Sequence, residues 1–280
     1  MNEQTAQPQM VALGDVSLNV LDTGGDGRPV VLIHGWPLSG ASWEHQISVL
    51  AAEGYRVIAY DRRGFGMSDK PSGGYDYDTF TADLDSLLTT LDLHDVTLIG
   101  FSMGGGEVAR YVSTFGQDRL HSVVFASAVP PLFAKTDDNP DGPLDSATAE
   151  QMASGLSADR EAFFDQFTKD FFSANGTMMV SEDERQAALE LALQSDQTAA
   201  LEAMNAFATT DFRPDLPAIS LPTLVIHGDA DGIVPFDGSG RLTHKAIAGS
   251  ELHVVAGGPH GINVSHADEF NKTLIDFLQT

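Results

Sequence analysis

Apolar residues along the chain fall into short runs that alternate with stretches of helical spacing. Residues 10–21 alternate apolar and polar positions around Gly14-Asp15, the pattern of a starting hairpin. After a glycine-rich turn over 24–29, Val30-Val31-Leu32-Ile33 has no polar face, as expected of a strand buried inside a parallel sheet. A helix is expected over 42–53, with Ser42 as its cap, then a strand over 55–60 and a helix over 79–91. Val96-Thr97-Leu98-Ile99 reads as the next buried strand and runs through a short turn into a helix. Strands over 120–126, 222–226 and 251–255 and an amphipathic helix over 267–278 complete the chain. Such alternation predicts an α/β fold, a mostly parallel twisted sheet flanked by helices through right-handed crossovers.

The rhythm breaks at 129–217, where no strand pattern stands out among helical segments and proline-rich joints. Phe163, Phe164, Phe167, Phe171 and Phe172 make this the most aromatic part of the chain. Helices covering the carboxyl edge of a sheet need an apolar underside, so 129–217 is expected as a helical lid. It would be inserted after the sixth strand of one domain spanning 1–280, with most of the phenylalanines in the lid's own core.

The strands are organised around Gly100-Phe101-Ser102-Met103-Gly104. Glycines two before and two after the serine remove side chains where strand and helix meet at a sharp angle. The serine can then hold a strained backbone conformation with its hydroxyl at the tip. The following helix turns its N-terminal N–H groups and positive dipole end to the same spot, where an oxyanion would be stabilised. An ordinary glycine-rich turn is the alternative. The strand before and the helix after favour the nucleophile elbow of an α/β-hydrolase.

A serine nucleophile needs a base, and the base needs an acid to orient it; in this fold both follow later strands, acid first. Of nine histidines, His34 and His227 end strands too early in the chain, and five others fall on helices or strands as surface or packing residues. His260, in Gly257-Gly258-Pro259-His260-Gly261, is preferred as base over His266. The loop after 222–226 offers Asp229 and Asp231, whereas Ser127-Ala128-Val129-Pro130 after the sixth strand holds no acid. Asp231 is taken as the acid and Asp229 as a brace of its loop.

The balance of 40 acidic against 15 basic residues, a net charge of −25, argues against nucleic acid and anionic membrane as partners. A very soluble acidic protein satisfies it; with only five lysines, so does adaptation to high salt. The absence of cysteine removes disulfides and thiolate chemistry. No apolar run reaches the ~20 residues of a membrane span, and residues 1–9 lack a signal-peptide core, so a cytoplasmic location is expected. A homo-oligomer is compatible with the sequence.

The chain resembles the cofactor-free haloperoxidase, arylesterase and perhydrolase branch of the α/β-hydrolases over essentially its whole length. The matching pieces are His34-Gly35-Trp36-Pro37, Asp61-Arg62-Arg63-Gly64-Phe65-Gly66, Gly100-Phe101-Ser102-Met103-Gly104-Gly105-Gly106, Thr210-Asp211-Phe212-Arg213, His227-Gly228-Asp229-Ala230-Asp231 and Pro259-His260-Gly261. The resemblance places the nucleophile on Ser102, the acid on Asp231 and the base on His260. It implies an oxyanion hole from the Trp36 and Met103 backbone N–H groups, and a pocket lined by Trp36, Phe101, Val129, Phe133, Phe167, Phe171, Ile233 and Phe236. Where relatives place an aromatic early in the lid, Pro143-Leu144-Asp145-Ser146-Ala147 stands instead, which suggests a wider or wetter pocket.

Ester hydrolysis through an acyl-enzyme is thus expected, with neither metal nor organic cofactor and with peracid formation from acid and hydrogen peroxide. A lactam or amide hydrolase uses the same triad and is the alternative; a non-catalytic binding protein is the reading from another class. Members that resemble perhydrolases carry proline where Pro37 stands. Without an N–H, and with fixed φ, it would restrict Trp36 and hold its carbonyl as an acceptor for peroxide; stiffening of the loop is the simpler reading.

Overall fold

In the computed structural model, which describes residues 7–280, eight strands form one twisted sheet. Of the polar start, residues 1–6 lie outside the described part. In chain order the elements are β1 (Gln9–Ala12), β2 (Ser17–Asp22), β3 (Pro29–Ile33), α1 (Glu44–Ala52), β4 (Arg56–Tyr60), α2 (Tyr77–Thr90), β5 (Val96–Phe101), α3 (Met103–Phe115) and β6 (Leu120–Ala126). There follow α4 (Ser146–Ala158), α5 (Arg160–Phe171), β7 (Ser173–Ala174), β8 (Thr177–Met178), α6 (Glu182–Leu193) and α7 (Gln197–Thr209). The chain closes with β9 (Thr223–Gly228), α8 (Gly240–Ala246), β10 (Glu251–Val255), α9 (Ile262–Ser265) and α10 (Ala267–Leu278).

The strand order is β1-β2-β4-β3-β5-β6-β9-β10, with β1–β2 and β2–β4 antiparallel and every other pair parallel. Every residue of β5 is buried, which is why the sequence there shows no polar face. The parallel strands β3, β5, β6, β9 and β10 bring their carboxyl ends, and the loops that follow them, to one edge. In open α/β sheets that edge is where ligands sit.

Between β6 and β9 the chain leaves the sheet and forms α4 to α7. One strand pair does occur here, contrary to the sequence expectation: β7 and β8 pair across Asn175-Gly176, both at positive φ. Asn-Gly is the favoured two-residue hairpin turn, so the signal was local and short. Two helix starts also differ. Gly40–Trp43 is a 3-10 turn, α1 begins at Glu44, and the Ser42 hydroxyl donates to the Ser39 carbonyl at 2.8 Å instead of capping. Helix α2 begins at Tyr77, two residues before the apolar periodicity, because the Asp76 carboxylate accepts the Thr79 N–H as a helix cap.

Candidate active site

Ser102 stands between β5 and α3 at φ 54°, ψ −118°, a conformation few side chains adopt. The flanking glycines are steric requirements. A Cβ at Gly100 would lie 2.4 Å from the Gly104 carbonyl oxygen, and one at Gly104 would lie 2.6 Å from the Ile33 carbonyl oxygen. Backbone bonds from Gly105 and Val129 to the Ser102 carbonyl, at 3.1 and 3.2 Å, hold the turn. The Tyr77 hydroxyl donates to the Met103 carbonyl at 3.0 Å and pins the first turn of α3.

Two side chains from separate later loops form a hydrogen-bonded chain to this serine. His260 Nε2 lies 2.9 Å from Ser102 Oγ, and His260 Nδ1 lies 2.7 Å from Asp231 Oδ2. A carboxylate can only accept, so Nδ1 carries the proton and Nε2 is free to accept the serine hydroxyl. The other Asp231 oxygen accepts from the Ile233 and Val234 amides at 2.9 and 2.7 Å. Burial works to raise the Asp231 pKa, but its attraction to His260 and the hydrogen bonds from His227 and His260 win, holding it well below the usual carboxylate range. Asp231 is therefore an anion able to orient the imidazole and stabilise it once protonated. Asp229 turns elsewhere: it accepts the Gly257 amide at 2.6 Å and ties two loops together. His266 sits at the start of α10 with its Nδ1 2.9 Å from Ser265 Oγ.

Two supporting side chains escaped the sequence reading. The Ser127 hydroxyl donates to the His260 carbonyl at 3.1 Å, which steadies the His260 loop. His227 Nε2 lies 2.8 Å from the Val234 carbonyl and 3.3 Å from Asp231 Oδ2. Both follow or end strands at the carboxyl edge, and that position was the only signal available.

Over Ser102 lies a cavity of about 320 Å³. Trp36, Val129, Phe133, Phe167 and Ile233, five of the residues the resemblance implied, line it. So do Met152, Phe163 and Phe207 from α4, α5 and α7, which the resemblance did not imply. Pro143, Leu144 and Thr148 stand in its wall, at the segment where a wider or wetter pocket was expected. Three expected pocket residues do not line it. Phe101 and Phe171 pack on the His260 ring, at centroid distances of 5.1 and 4.9 Å. Their rings wall in the His260 imidazole. Phe236 turns back against His227 at 5.7 Å and carries the Arg241 guanidinium on its other contacts. Polar Gln166 and Asp170 share the cavity-facing side of α5 with Phe163 and Phe167, and among the described residues no lysine or arginine lines the cavity.

Trp36 and Met103 flank the serine at the ends of β3 and β5, and among the described residues neither backbone N–H has a protein acceptor. The Trp36 indole donates to the Ala200 carbonyl of α7 at 2.9 Å and packs edge-on against Phe163, Phe164, Phe167 and Phe207. The next residue, Pro37, is buried and joined to Trp36 by a cis peptide bond. Among the described residues no group of three His, Asp or Glu side chains is placed to hold a metal ion, and no helix is long and apolar enough to cross a membrane.

A strained serine between strand and helix, on a largely parallel sheet whose later loops supply histidine and aspartate, is the arrangement of an α/β-hydrolase. The chain belongs to the α/β-hydrolase fold family, whose model matches residues 28–267. Within it the chain is 45% identical over 257 residues to a non-heme chloroperoxidase of Kitasatospora aureofaciens, covering 91% of this chain and 93% of that protein. It is 34% identical over 262 residues to a bifunctional esterase/perhydrolase of Acinetobacter calcoaceticus, covering 92% and 95%. The crystal structure of a bromoperoxidase from Bacillus anthracis superposes with a TM-score of 0.95 at 53% identity, over 98% of this chain and all (100%) of that one.

Proposed function

We propose that the protein is a serine hydrolase that cleaves carboxylic esters through an acyl-enzyme on Ser102 and passes the acyl group to water or hydrogen peroxide. The hydrogen-bonded chain Asp231–His260–Ser102 beneath an apolar cavity carries this reading. As Ser102 Oγ attacks the ester carbonyl carbon, His260 Nε2 takes its proton and Asp231 stabilises the imidazolium. The Met103 and Trp36 N–H groups receive the tetrahedral oxyanion, an interaction worth roughly 3–4 kcal/mol per donor in well-studied cases. Collapse of the intermediate expels the alcohol, which leaves with the proton from His260.

Water deprotonated by His260 then attacks the acyl carbon, and Ser102 recovers its proton as the acid departs. Hydrogen peroxide in place of water yields the peracid by the same proton transfers. Peracid formation accounts for the haloperoxidase names among relatives. Helices α4 to α7 act as the lid, since α4, α5 and α7 furnish much of the cavity wall. Cavity walls rich in aromatic and aliphatic atoms, with no lysine or arginine, favour uncharged esters.

The chloroperoxidase and esterase/perhydrolase relatives named above give a precedent for esters and peroxide, which favours these over a lactam or amide substrate. The test is a panel of p-nitrophenyl esters of increasing acyl length, run beside a lactam and acetate plus peroxide, with fluorophosphonate labelling of Ser102. Ester turnover with labelled Ser102 is expected; lactam turnover alone would replace this reading, and an unlabelled, inactive protein would remove it.

A further inference from the structure

Two residues before Trp36 stands His34, a fully buried histidine that the mechanism above does not use. Its Nδ1 lies 2.9 Å from the Gly35 carbonyl oxygen, and its Nε2 lies 3.0 Å from the Arg62 backbone nitrogen. The Arg62 N–H can only donate, so Nε2 accepts and Nδ1 carries the proton that goes to Gly35. Burial and the adjacent Arg62 cation push the His34 pKa well below its ordinary value, which keeps this neutral tautomer at working pH. The Gly35 carbonyl also accepts the Leu38 N–H at 3.0 Å.

Gly35 C=O and Trp36 N–H belong to one planar trans peptide unit, so they point in opposite directions. Two donors on the carbonyl therefore fix where the N–H points. The unit runs close beside the nucleophile: a Cβ on Gly35 would lie 2.8 Å from the Phe101 ring and 3.1 Å from Ser102 Cβ. Behind it, the Arg62 guanidinium donates to the His34 carbonyl at 2.8 Å and, through Nε, to Glu107 on α3 at 2.5 Å. Glu107 also accepts the Tyr60 hydroxyl at 3.0 Å. One buried network thus joins the helix that follows Ser102 to the loop that holds Trp36.

We propose that His34 is a positioning residue for the oxyanion hole: its Nδ1–H holds and polarises the Gly35–Trp36 peptide so that the Trp36 N–H is aimed at the oxyanion formed on Ser102. This role presupposes the acyl-transfer chemistry proposed above. A hydrogen bond to an amide oxygen strengthens donation from the same amide's N–H, and a donor held in place needs no reorganisation as charge develops. The contribution falls on the transition state and not on the ground-state complex.

Three variants separate this role from simple packing. His34→Asn can set an amide N–H near the Nδ1 position; His34→Gln reaches the Nε2 position instead; His34→Leu offers neither. Each is assayed for kcat and KM on p-nitrophenyl acetate, for inhibition by phenylboronic acid as a tetrahedral mimic, and for the Gly35 carbonyl carbon shift in isotope-labelled protein. In His34→Leu and His34→Gln, kcat falls about ten- to a hundredfold and boronate affinity falls with it, while KM stays within about twofold. His34→Asn recovers most of both, and its Gly35 resonance stays near the wild-type position while the other two move. Equal kcat in the Asn and Gln variants, or a loss confined to KM, or a Gly35 resonance indifferent to all three, overturns the role. If His34→Leu does not fold, the Asn–Gln contrast decides alone. Wild-type ester turnover, measured alongside, reports on the ester-hydrolase reading separately. If that fails, the Gly35 resonance still decides whether His34 holds the peptide.

Discussion

Asp229 and Asp231, two residues apart on the loop after β9, hold different partners: Asp231 takes the His260 imidazole at 2.7 Å, and Asp229 takes the Gly257 amide at 2.6 Å. The first contact orients the imidazole; the second fastens the loop that carries it. Asp231→Asn should therefore lower kcat by about three to four orders of magnitude, because an amide facing Nδ1 favours the wrong imidazole tautomer. Asp229→Asn should lower the thermal midpoint and leave kcat within about an order of magnitude. Kinetics and thermal melts on the two variants check this. Reversed losses would move the acid to Asp229.

Much of this was legible in the chain. Ser102, Asp231 and His260 could be picked out because each lies just past an apolar run, and the order of an α/β-hydrolase leaves few rivals. Phe101, Phe171 and Phe236 could not be placed, because position in sequence does not say which way a ring turns once a loop closes. Two of them enclose His260 and the third rests on His227. Met152 and Phe207 reach the cavity through the packing of α4 and α7, which no local pattern encodes. Asp76 and Asn175-Gly176 carried readable signals, a cap and a hairpin turn.

Pro37 follows Trp36 beside the cavity and has no N–H of its own, which leaves the Trp36 carbonyl as the polar group of that step. If that carbonyl accepts a hydrogen bond from hydrogen peroxide, Pro37→Leu lowers peracid formation several-fold while ester hydrolysis holds or rises. The informative quantity is the ratio of the two rates with acetate plus peroxide and with p-nitrophenyl acetate. A parallel fall in both would leave loop stiffness as the sole role of Pro37.

His34 also makes stability depend on pH. Its native pKa lies well below 6.5, so as pH drops under that value the unfolded chain binds a proton there that the native chain does not. The contribution is complete above about 6.5 and is lost as pH falls toward the native pKa, at about 1.4 kcal/mol per pH unit for one proton. Urea unfolding between about pH 5 and 6.5 should show a shallower loss for His34→Asn than for wild type. Identical slopes would mean that His34 titrates alike in both states.

A net charge of −25 stabilises nothing at low ionic strength, where the screening length is long and the carboxylates repel one another. The thermal midpoint should rise between about 0.05 and 2 M NaCl as this repulsion is screened. A midpoint that stays level across that range would count against adaptation of the surface to high salt.

The central claim is that Ser102 Oγ is the nucleophile, activated by His260 at 2.9 Å. Its most direct measurement is kcat of Ser102→Ala on p-nitrophenyl acetate beside the wild-type protein, with folding checked by circular dichroism. A loss of at least ~10³-fold is expected in a folded variant, since the acyl-enzyme forms on Ser102. Near-normal ester hydrolysis by Ser102→Ala would contradict it.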